Sequence, residues 1–358
     1  MKVLFDVSRL ISVLLLCGSY AFAADGSGER WSVEKVKSWY EKQPWLIGCN
    51  YVPAYAVNQM EMWQADSFDP KAIDRELALA EDIGFNIVRV FLHDVAWEAD
   101  PDGFKNRIDA FLDICNKHKI RVMLTFFTNG GPGMLAKVGK QPEPIPGVHN
   151  SQWPMSPGTD NVNDPSSWGR LEKYVKDILT RFGNDNRVVI WDLYNEPEKT
   201  KNGANGLPLL RQVFVWGREV NPSQPLTACM DGYRLDAFNS FLAENCDVLT
   251  FHTYGGPKSV KAFIKTLKDF KRPMLCTEYM ARNFGSTFEA LLPIFKRERV
   301  GAISWGLVWG KTNTVYPWGS KKGSPEPKVW FHDIFRPDHT PYDRKEIEFI
   351  KKIARDNR

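Results

Sequence analysis

The sequence predicts a single-domain (β/α)8 barrel, and two observations support this prediction. From about residue 45 onward, short apolar runs rich in Val, Ile, Leu or Phe alternate with segments of helical periodicity. Continuous apolar runs are typical of parallel strands buried on both faces, and eight of them, each followed by a helix, predict this barrel. A doubly wound sheet is the alternative, but no Gly-rich phosphate turn follows the first strand.

The predicted elements follow one another in a regular order. The strands are Leu46–Asn50, Asn86–Leu92, Arg121–Phe127, Val188–Tyr194, Leu226–Met230, Val248–His252, Met274–Glu278 and Ala302–Gly306. The helices are Pro70–Ile83, Phe104–His118, Asp164–Phe182, Leu207–Val220, Leu235–Glu244, Ser259–Phe270, Ser286–Arg299 and Tyr342–Ala354. The first of these helices carries clear end signals, because Asp69 and Pro70 start it and Gly84 stops it.

Three long connections leave the carboxyl ends of strands: Tyr51–Phe68, Thr128–Asn163 and Leu307–Pro341. Loops longer than roughly 15 residues inside a compact domain are usually functional or disordered. In a barrel, the loops on this face build the active site. We therefore expect the site at the mouth formed by these loops.

The chain begins with the pattern of an export signal. Residues 1–23 combine the basic Lys2 and Arg9 with an apolar core at Leu10–Leu16 and an A-x-A pattern ending at Ala23. Cleavage there predicts a secreted or periplasmic protein, with lipid attachment at Cys17 as the less favoured alternative. Residues 24–44 then form an N-terminal segment and residues 45–358 form the barrel domain.

The composition limits the partners of the protein. The net charge is +4, and the charged residues, 25% of the chain, are mixed in sign. Because there is no basic stripe or tail, we expect no nucleic-acid partner. We also expect a monomer, with no membrane contact unless the alternative of a lipid anchor at Cys17 applies. Only six His are present, and none lies in a close-ligand pattern, so we expect no metal and no cofactor.

Polar and aromatic residues collect at the predicted strand ends. They are Asn50, Tyr51, Arg89, His93, Asn129, Asn195, Glu196, Asp231, His252, Tyr254, Glu278 and Trp305. Two carboxylates, Glu196 after the fourth strand and Glu278 after the seventh, come from nearly opposite walls of the barrel mouth. Facing carboxyls among Trp, Tyr, His and Asn suit cleavage of a glycosidic bond, where one donates a proton and the other attacks or activates water.

Several neighbours could support this chemistry. Arg89 and Tyr254 are candidates to hold Glu278 ionised, and Asn195 could bond a sugar 2-hydroxyl. The alternative for Arg89 is a structural ion pair with a core acid, and the alternative for His252 is a hydrogen-bonded core histidine. Asp192 is expected to satisfy polar groups in the core.

The motifs resemble those of a known enzyme family. "WDLYNEP" (Trp191–Pro197) and "MLCTEYM" (Met274–Met280) resemble the fourth- and seventh-strand motifs of the clan A retaining glycoside hydrolases. "FHTYG" (Phe251–Gly255), "GFNIVRVFL" (Gly84–Leu92) and "GAISWGLVWG" (Gly301–Gly310) resemble segments of glycoside hydrolase family 5, the cellulase family.

The resemblance implies a role for each matching residue. It makes Glu196 the acid/base and Glu278 the nucleophile, with a carboxyl separation of about 5–5.5 Å. It implies that Arg89 and Tyr254 steady Glu278 and that Asn195 and His252 line the reactive-sugar subsite. Trp305 would be the stacking platform under the sugar, with Trp309 as the competing candidate.

Two segments depart from the family pattern. Family members commonly have a histidine at the end of strand three, where this chain has Thr128 and Asn129. The segment after strand one offers Tyr51, Tyr55, Asn58 and Trp63, which could either bind sugars or pack the barrel mouth.

The expected function is a retaining β-glycoside hydrolase that acts on a plant-type β-1,4-linked polysaccharide or its oligosaccharides: xylan, glucan or mannan. Two alternatives stay open. One is an exo-acting β-mannosidase or β-glucosidase, because the long loops could wall off one end of a cleft. The other is a non-catalytic carbohydrate-binding barrel.

Overall fold

The computed structural model describes residues 28–128, 134–197, 205–232 and 234–355. The predicted signal segment with Cys17, and the candidate Asn129, lie outside the described residues. Among those that are described, none of the helices is long and apolar enough to cross a membrane.

A parallel sheet curls into a barrel surrounded by helices. Its strands are β1 (Ile47–Asn50), β2 (Ile87–Phe91), β3 (Arg121–Thr128), β4 (Val188–Asn195), β5 (Leu226–Thr227), β6 (Cys229–Asp231), β7 (Leu249–His252), β8 (Met274–Tyr279) and β9 (Gly301–Trp305). They pair in the order β5-β4-β3-β2-β1-β9-β8-β7-β6. Because β5 and β6 adjoin around Ala228, they are two halves of one barrel strand, and the predicted (β/α)8 barrel is confirmed.

Helices cover the outside of this barrel. They are α1 (Val33–Glu41), α2 (Gln59–Trp63), α3 (Pro70–Asp82), α4 (Asp94–Ala99), α5 (Pro101–Lys117), α6 (Thr159–Asn163), α7 (Trp168–Phe182), α8 (Gly206–Val220), α9 (Ala237–Asn245), α10 (Pro257–Leu267), α11 (Phe288–Arg297) and α12 (Arg344–Arg355).

The structure corrects some predicted boundaries. The fifth strand is interrupted at Ala228. Helix α5 begins three residues earlier than predicted, since the Asp100 side chain accepts the Gly103 N–H and caps it. The predicted helix from Asp164 begins with a 3-10 turn, Pro165–Ser167, and becomes α-helical only at Trp168. The short helices α1, α2, α4 and α6 were not predicted.

The amino-terminal end of the barrel is closed by α1 and the residues before it. Trp31 is buried, and its backbone N–H donates to Asp247 Oδ1 at 2.8 Å. Tyr40 on α1 donates its hydroxyl to the Arg299 carbonyl, also at 2.8 Å. Apolar side chains such as Ile87 and Ile303 fill the barrel above them. The opposite end is thereby left as the place for a site.

Glu76 on α3 holds the loop after β1 in place. Its carboxyl accepts hydrogen bonds from the Tyr51 hydroxyl at 2.9 Å and the Ala54 N–H at 3.1 Å. Burial raises the pKa of Glu76 to about 7, although both hydrogen bonds act to lower it. The folded protein therefore favours the neutral acid, and this stabilisation is complete at acidic pH and lost as pH rises through about 7.

We predict that Glu76→Gln makes the protein more stable than wild type at alkaline pH. An amide cannot ionise, so the variant avoids the cost of ionising a buried acid, which is up to about 3 kcal/mol at pH 8.5. The difference in the free energy of unfolding between the variant and wild type shrinks toward pH 5. Urea unfolding at both pH values measures it. Glu81→Gln on the same helix is the control, because its pKa is lowered by hydrogen bonds from His118 and Lys119. A less stable Glu76→Gln at pH 8.5 would contradict this account.

Candidate active site

Six of the predicted side chains meet at the carboxyl end of the barrel. They are Arg89, Asn195, Glu196, His252, Tyr254 and Glu278, and they come from β2, β4, β7 and β8 or the residues just after these strands. Since parallel strands end at one edge, residues distant in sequence converge there.

Arg89 lies at the centre of this group and is fully buried. Its Nε and Nη2 donate to Asp192 Oδ2 at 2.8 and 2.7 Å. Its Nη1 donates to Glu278 Oε1 at 3.0 Å, and its Nη2 also donates to Asn195 Oδ1 at 2.6 Å. Arg89 thus forms the structural ion pair with the core acid Asp192 and also contacts Glu278 directly.

Glu278 has two donors and one imidazole around its carboxylate. Besides Arg89, the Tyr254 hydroxyl donates to Oε2 at 2.8 Å, and His252 Nδ1 lies 3.4 Å from the same oxygen. Irregular register between β7 and β8 sets His252 opposite Glu278. A bulge of this kind re-aims a side chain at the end of a strand.

Glu196 faces Glu278 across His252. His252 Nδ1 lies 3.0 Å from Glu196 Oε1, so one imidazole nitrogen contacts both carboxyls. Only 7% of Glu196 and 5% of Glu278 is exposed. One oxygen of each carboxyl lies within 4.8 Å of the other, so the two carboxyls are close neighbours.

The electrostatics favour one proton on the carboxyl pair. Burial raises the pKa of Glu278 above its ordinary value, and the charge of Glu196 adds to this rise. His252, Arg89 and Tyr254 oppose it. Two close carboxyls that share a buried space release their protons in separate steps. The pair can therefore hold one acid and one carboxylate at the same pH.

Hydrogen bonds to two neighbours fix the orientation of the Asn195 side chain. Its Oδ1 accepts from Arg89, and its Nδ2 donates to Thr128 Oγ1 at 3.0 Å. Thr128, which stands where the family commonly has histidine, thus supports an amide of the site.

Trp305 belongs to the site and Trp309 does not contact it. The Trp305 ring packs against Phe91 and Trp153 with centroids 5.8 and 6.1 Å apart. Trp309 packs instead on Trp330, at 5.3 Å, in a separate apolar cluster. Trp305 is the better placed of the two platform candidates.

Four other candidates are structural, which corrects their predicted contact with substrate. Tyr51 is buried with its hydroxyl on Glu76, and Trp63 is buried with its Nε1 donating to the Phe91 carbonyl. Asn58 caps α2 and donates to Gln141. His93 is buried and caps α4. For the segment after strand one, the packing alternative therefore holds at these positions.

Three residues at the mouth were missed by the sequence reasoning. Trp153 reaches Trp305 from the loop after β3. Trp318, 49% exposed, packs edge-on against Tyr254 at 4.8 Å. The Sγ of Cys229 accepts the backbone N–H of Glu196. The abundance of Trp in the long loops was a signal for the first two, whereas nothing in the sequence marked Cys229.

Glu196, His252 and Glu278 also form a group whose ligand atoms are close enough to hold a cation. The guanidinium of Arg89 already contacts Glu278 and opposes a second positive charge there. The expectation of metal-independent activity stays a prediction.

A parallel barrel with two close carboxyls at its mouth defines a class of enzyme, the O-glycosyl hydrolases. The family model described as cellulase (glycosyl hydrolase family 5) matches residues 50–308. The chain belongs to glycosyl hydrolase family 5, as the resemblance implied, and is a retaining β-glycoside hydrolase by class. None of the curated proteins matches its sequence.

Solved structures share the fold at low sequence identity. An exo-β-1,4-mannosidase from Opitutaceae bacterium strain TAV5 is 21% identical with a TM-score of 0.60; the match covers 87% of this chain and 59% of that enzyme. This chain therefore spans well under two thirds of that protein. A GH5_18 variant from Streptomyces cattleya in complex with Manβ1-4GlcNAc is 13% identical with a TM-score of 0.60, over 87% and 80% of the two chains. An endo-1,4-β-D-mannanase from Thermotoga petrophila is 15% identical with a TM-score of 0.55, over 87% and 99%.

We predict that Arg89→Lys lowers kcat by about 100-fold, because a single ammonium cannot bond Asp192, Asn195 and Glu278 together. Steady-state kinetics and thermal unfolding measure the effect. Arg187→Lys is the control: Arg187 pairs with Asp109 and Asp185 at 2.5 Å just before β4, at the far end of the barrel. It should lose stability and keep kcat. Equal kcat losses in both variants would mean that Arg89 acts through stability alone.

Proposed function

We propose that the chain is an exo-acting retaining β-glycosidase that removes terminal β-1,4-linked mannose from oligosaccharides. This narrows the predicted class of enzymes acting on β-1,4-glycans and favours the exo-acting alternative. The observation that carries it is the interlocking of the long loops after β1, β3 and β9, which walls off one side of the mouth.

Hydrogen bonds join the loops after β3 and β9. The Asn150 N–H donates to the Thr312 carbonyl at 2.7 Å, and the Gly323 N–H donates to the Pro146 carbonyl at 2.8 Å. The Nδ1 of His149 lies 2.6 Å from the Tyr316 carbonyl oxygen. A side chain on Gly147 would collide with Ser324.

The loop after β1 is joined to both of the others. Asn58 Nδ2 donates to Gln141 Oε1 at 3.0 Å and to the Gln152 carbonyl at 2.9 Å, on the loop after β3. Lys311 on the loop after β9 pairs with Glu61 at 2.6 Å. The three loops therefore form one continuous wall beside β1.

In this proposal, the wall lies on the side of the sugar that becomes attached to Glu278, and the aglycone lies on the opposite side. The leaving group must lie beside the acid that protonates it, here Glu196 after β4. The sugar that becomes attached to Glu278 then lies toward β9 and β1, under the wall. Across the mouth, only the four residues 253–256 separate β7 from α10. We infer that a wall behind this sugar blocks a longer chain, so that a terminal residue is the unit that enters.

The choice of mannose rests on the named neighbours. Two of the similar structures are named as enzymes of β-1,4-mannosides, and a third is a complex with Manβ1-4GlcNAc. The plant-type mannans within the predicted substrate class contain this linkage.

In the proposed mechanism, Glu278 attacks the anomeric carbon while Glu196 protonates the glycosidic oxygen. The C–O bond breaks, the aglycone leaves as an alcohol, and the sugar is held as an ester of Glu278. Glu196, now a carboxylate, takes a proton from water, which displaces Glu278 with overall retention. Arg89 and Tyr254 stabilise the carboxylate of Glu278 before it attacks and again as water displaces it.

The remaining residues orient the sugar in this proposal. Asn195, which Arg89 and Thr128 hold in place, bonds the 2-hydroxyl. Trp305 provides the platform beneath the ring, and His252 lines the subsite next to both carboxyls. We further propose that the protein acts outside the cytoplasm, for which residues 1–23 are the support.

We predict that β-1,4-manno-oligosaccharides release mannose as the first and only small product, one residue at a time from the non-reducing end. Chromatography of digests of oligosaccharides labelled at the reducing end distinguishes this from internal cleavage. Xylo- and cello-oligosaccharides form the control panel. Early accumulation of mannobiose or mannotriose would overturn exo action, and binding without turnover would favour the non-catalytic alternative. A chelator should leave the rate unchanged.

We predict that Glu278→Gln abolishes covalent labelling by a 2-fluoro mannoside with an activated leaving group. An amide is too weak a nucleophile to form the ester. Mass spectrometry of the intact protein measures the label. Glu196→Gln is the matched control and should still be labelled, since an activated leaving group departs without protonation. Full labelling of Glu278→Gln would assign the nucleophile to another residue.

A further inference from the structure

A buried thiol on β6 touches three residues of the site. The Sγ of Cys229 accepts the backbone N–H of Glu196 at 2.9 Å. It also lies 3.9 Å from Asn195 Oδ1 and 4.0 Å from His252 Nδ1. Cys229 is fully buried, and the proposed reaction assigns it no step.

The backbone of Glu196 needs support at this point. Its φ is +49°, in the left-handed region that non-glycine residues avoid. Pro197 follows, and the residue before a proline favours extended backbone. Such a conformation is strained and persists only when the surroundings enforce it.

The sheet ladder does not reach Glu196 from the fifth barrel strand. Its pairs between β4 and β5 are Trp191–Leu226 and Asp192–Thr227. After the interruption at Ala228, Cys229 pairs toward β7 instead, opposite Thr250. The side chain of Cys229 thus takes a bond from β4 beyond the end of that ladder.

We propose that Cys229 is a positioning residue that aims the carboxyl of Glu196 at the glycosidic oxygen by holding its strained peptide. This inference rests on the proposed acid/base role of Glu196. Cys229 acts through the Glu196 N–H and does not touch the substrate. Without the sulfur, the peptide relaxes and the carboxyl moves away from the oxygen that it protonates.

The dependence on leaving group separates this role from a general structural one. A sugar needs protonation as it leaves, and general acid catalysis contributes typically 10²–10⁴-fold. A 2,4-dinitrophenolate leaves without it. Because kcat/KM reports the step up to the glycosyl-enzyme, misplacing Glu196 lowers kcat/KM for the sugar leaving group and spares it for the dinitrophenyl one.

The test compares Cys229→Ala and Cys229→Ser on two substrates, a disaccharide and a dinitrophenyl glycoside of the sugar that the wild type releases. Cys229→Ala should lose about 10–100-fold in kcat/KM on the disaccharide and under about threefold on the dinitrophenyl glycoside. On the dinitrophenyl glycoside, any loss of kcat in Cys229→Ala comes from the second step, in which Glu196 acts as the base toward water. Azide attacks the glycosyl-enzyme without needing this base and should therefore restore kcat. Cys229→Ser should recover most of the loss, because a hydroxyl also accepts the N–H.

Cys246→Ala is the matched control. Cys246 is equally buried, and its Sγ accepts the Ala228 N–H at 3.4 Å, away from Glu196. Cys246→Ala should change kcat/KM by the same factor for both substrates. If Cys229→Ala folds poorly, Cys229→Val fills the space without an acceptor and takes its place. Equal losses on both substrates, or no loss on either, would overturn the inference. A wild type inactive on both would instead refute the proposed function.

Discussion

The buried charge of Arg89 is the constraint on which the rest of the site depends. A guanidinium inside a barrel is costly unless acids and hydrogen-bond acceptors surround it, and this one is satisfied by Asp192, Glu278, Asn195 and Asn50. These bonds tie β2 to β1, β4 and β8. The positive charge of Arg89 is already balanced by Asp192. Little of it is therefore left to balance two further negative charges on Glu196 and Glu278. Burial and the charge of Glu196 raise the pKa of Glu278, so the pair can share one proton, and an acid facing a carboxylate is what glycoside cleavage requires.

The sequence predicted the barrel well because its strands are buried on both faces. Runs such as "VVIWDLY" can be read without knowing their neighbours, and the strand boundaries were within one or two residues. The break at Ala228 could not be read, since it is a local change of pairing inside an apolar run. The short helices α2 and α4 lie within loops and are too short to establish a helical period.

The site residues also differ in how well the sequence predicts them, depending on whether a strand or a distant contact sets their position. Arg89, Glu196, His252 and Glu278 were placed correctly because a strand end sets both position and direction. For Trp63 the sequence left sugar binding and packing open, since the direction of its side chain depends on a contact with the Phe91 carbonyl 28 residues away. Cys229 was invisible for a related reason. Its proposed role depends on the backbone conformation of Glu196. A positive φ at a glutamate cannot be predicted from a residue pattern.

In the proposed function, chemistry and substrate length are controlled by different parts of the molecule. The groups that would break the bond stand at strand ends, which hydrogen bonds to buried charges hold rigid. The wall that would limit the substrate is built from contacts between loops, such as Asn58 with Gln141, which are 83 residues apart. Those contacts leave the Arg89 network untouched. A shorter loop after β3 or β9 would thus open the pocket toward internal cleavage of a chain, while the carboxyl pair and its retaining chemistry stayed the same.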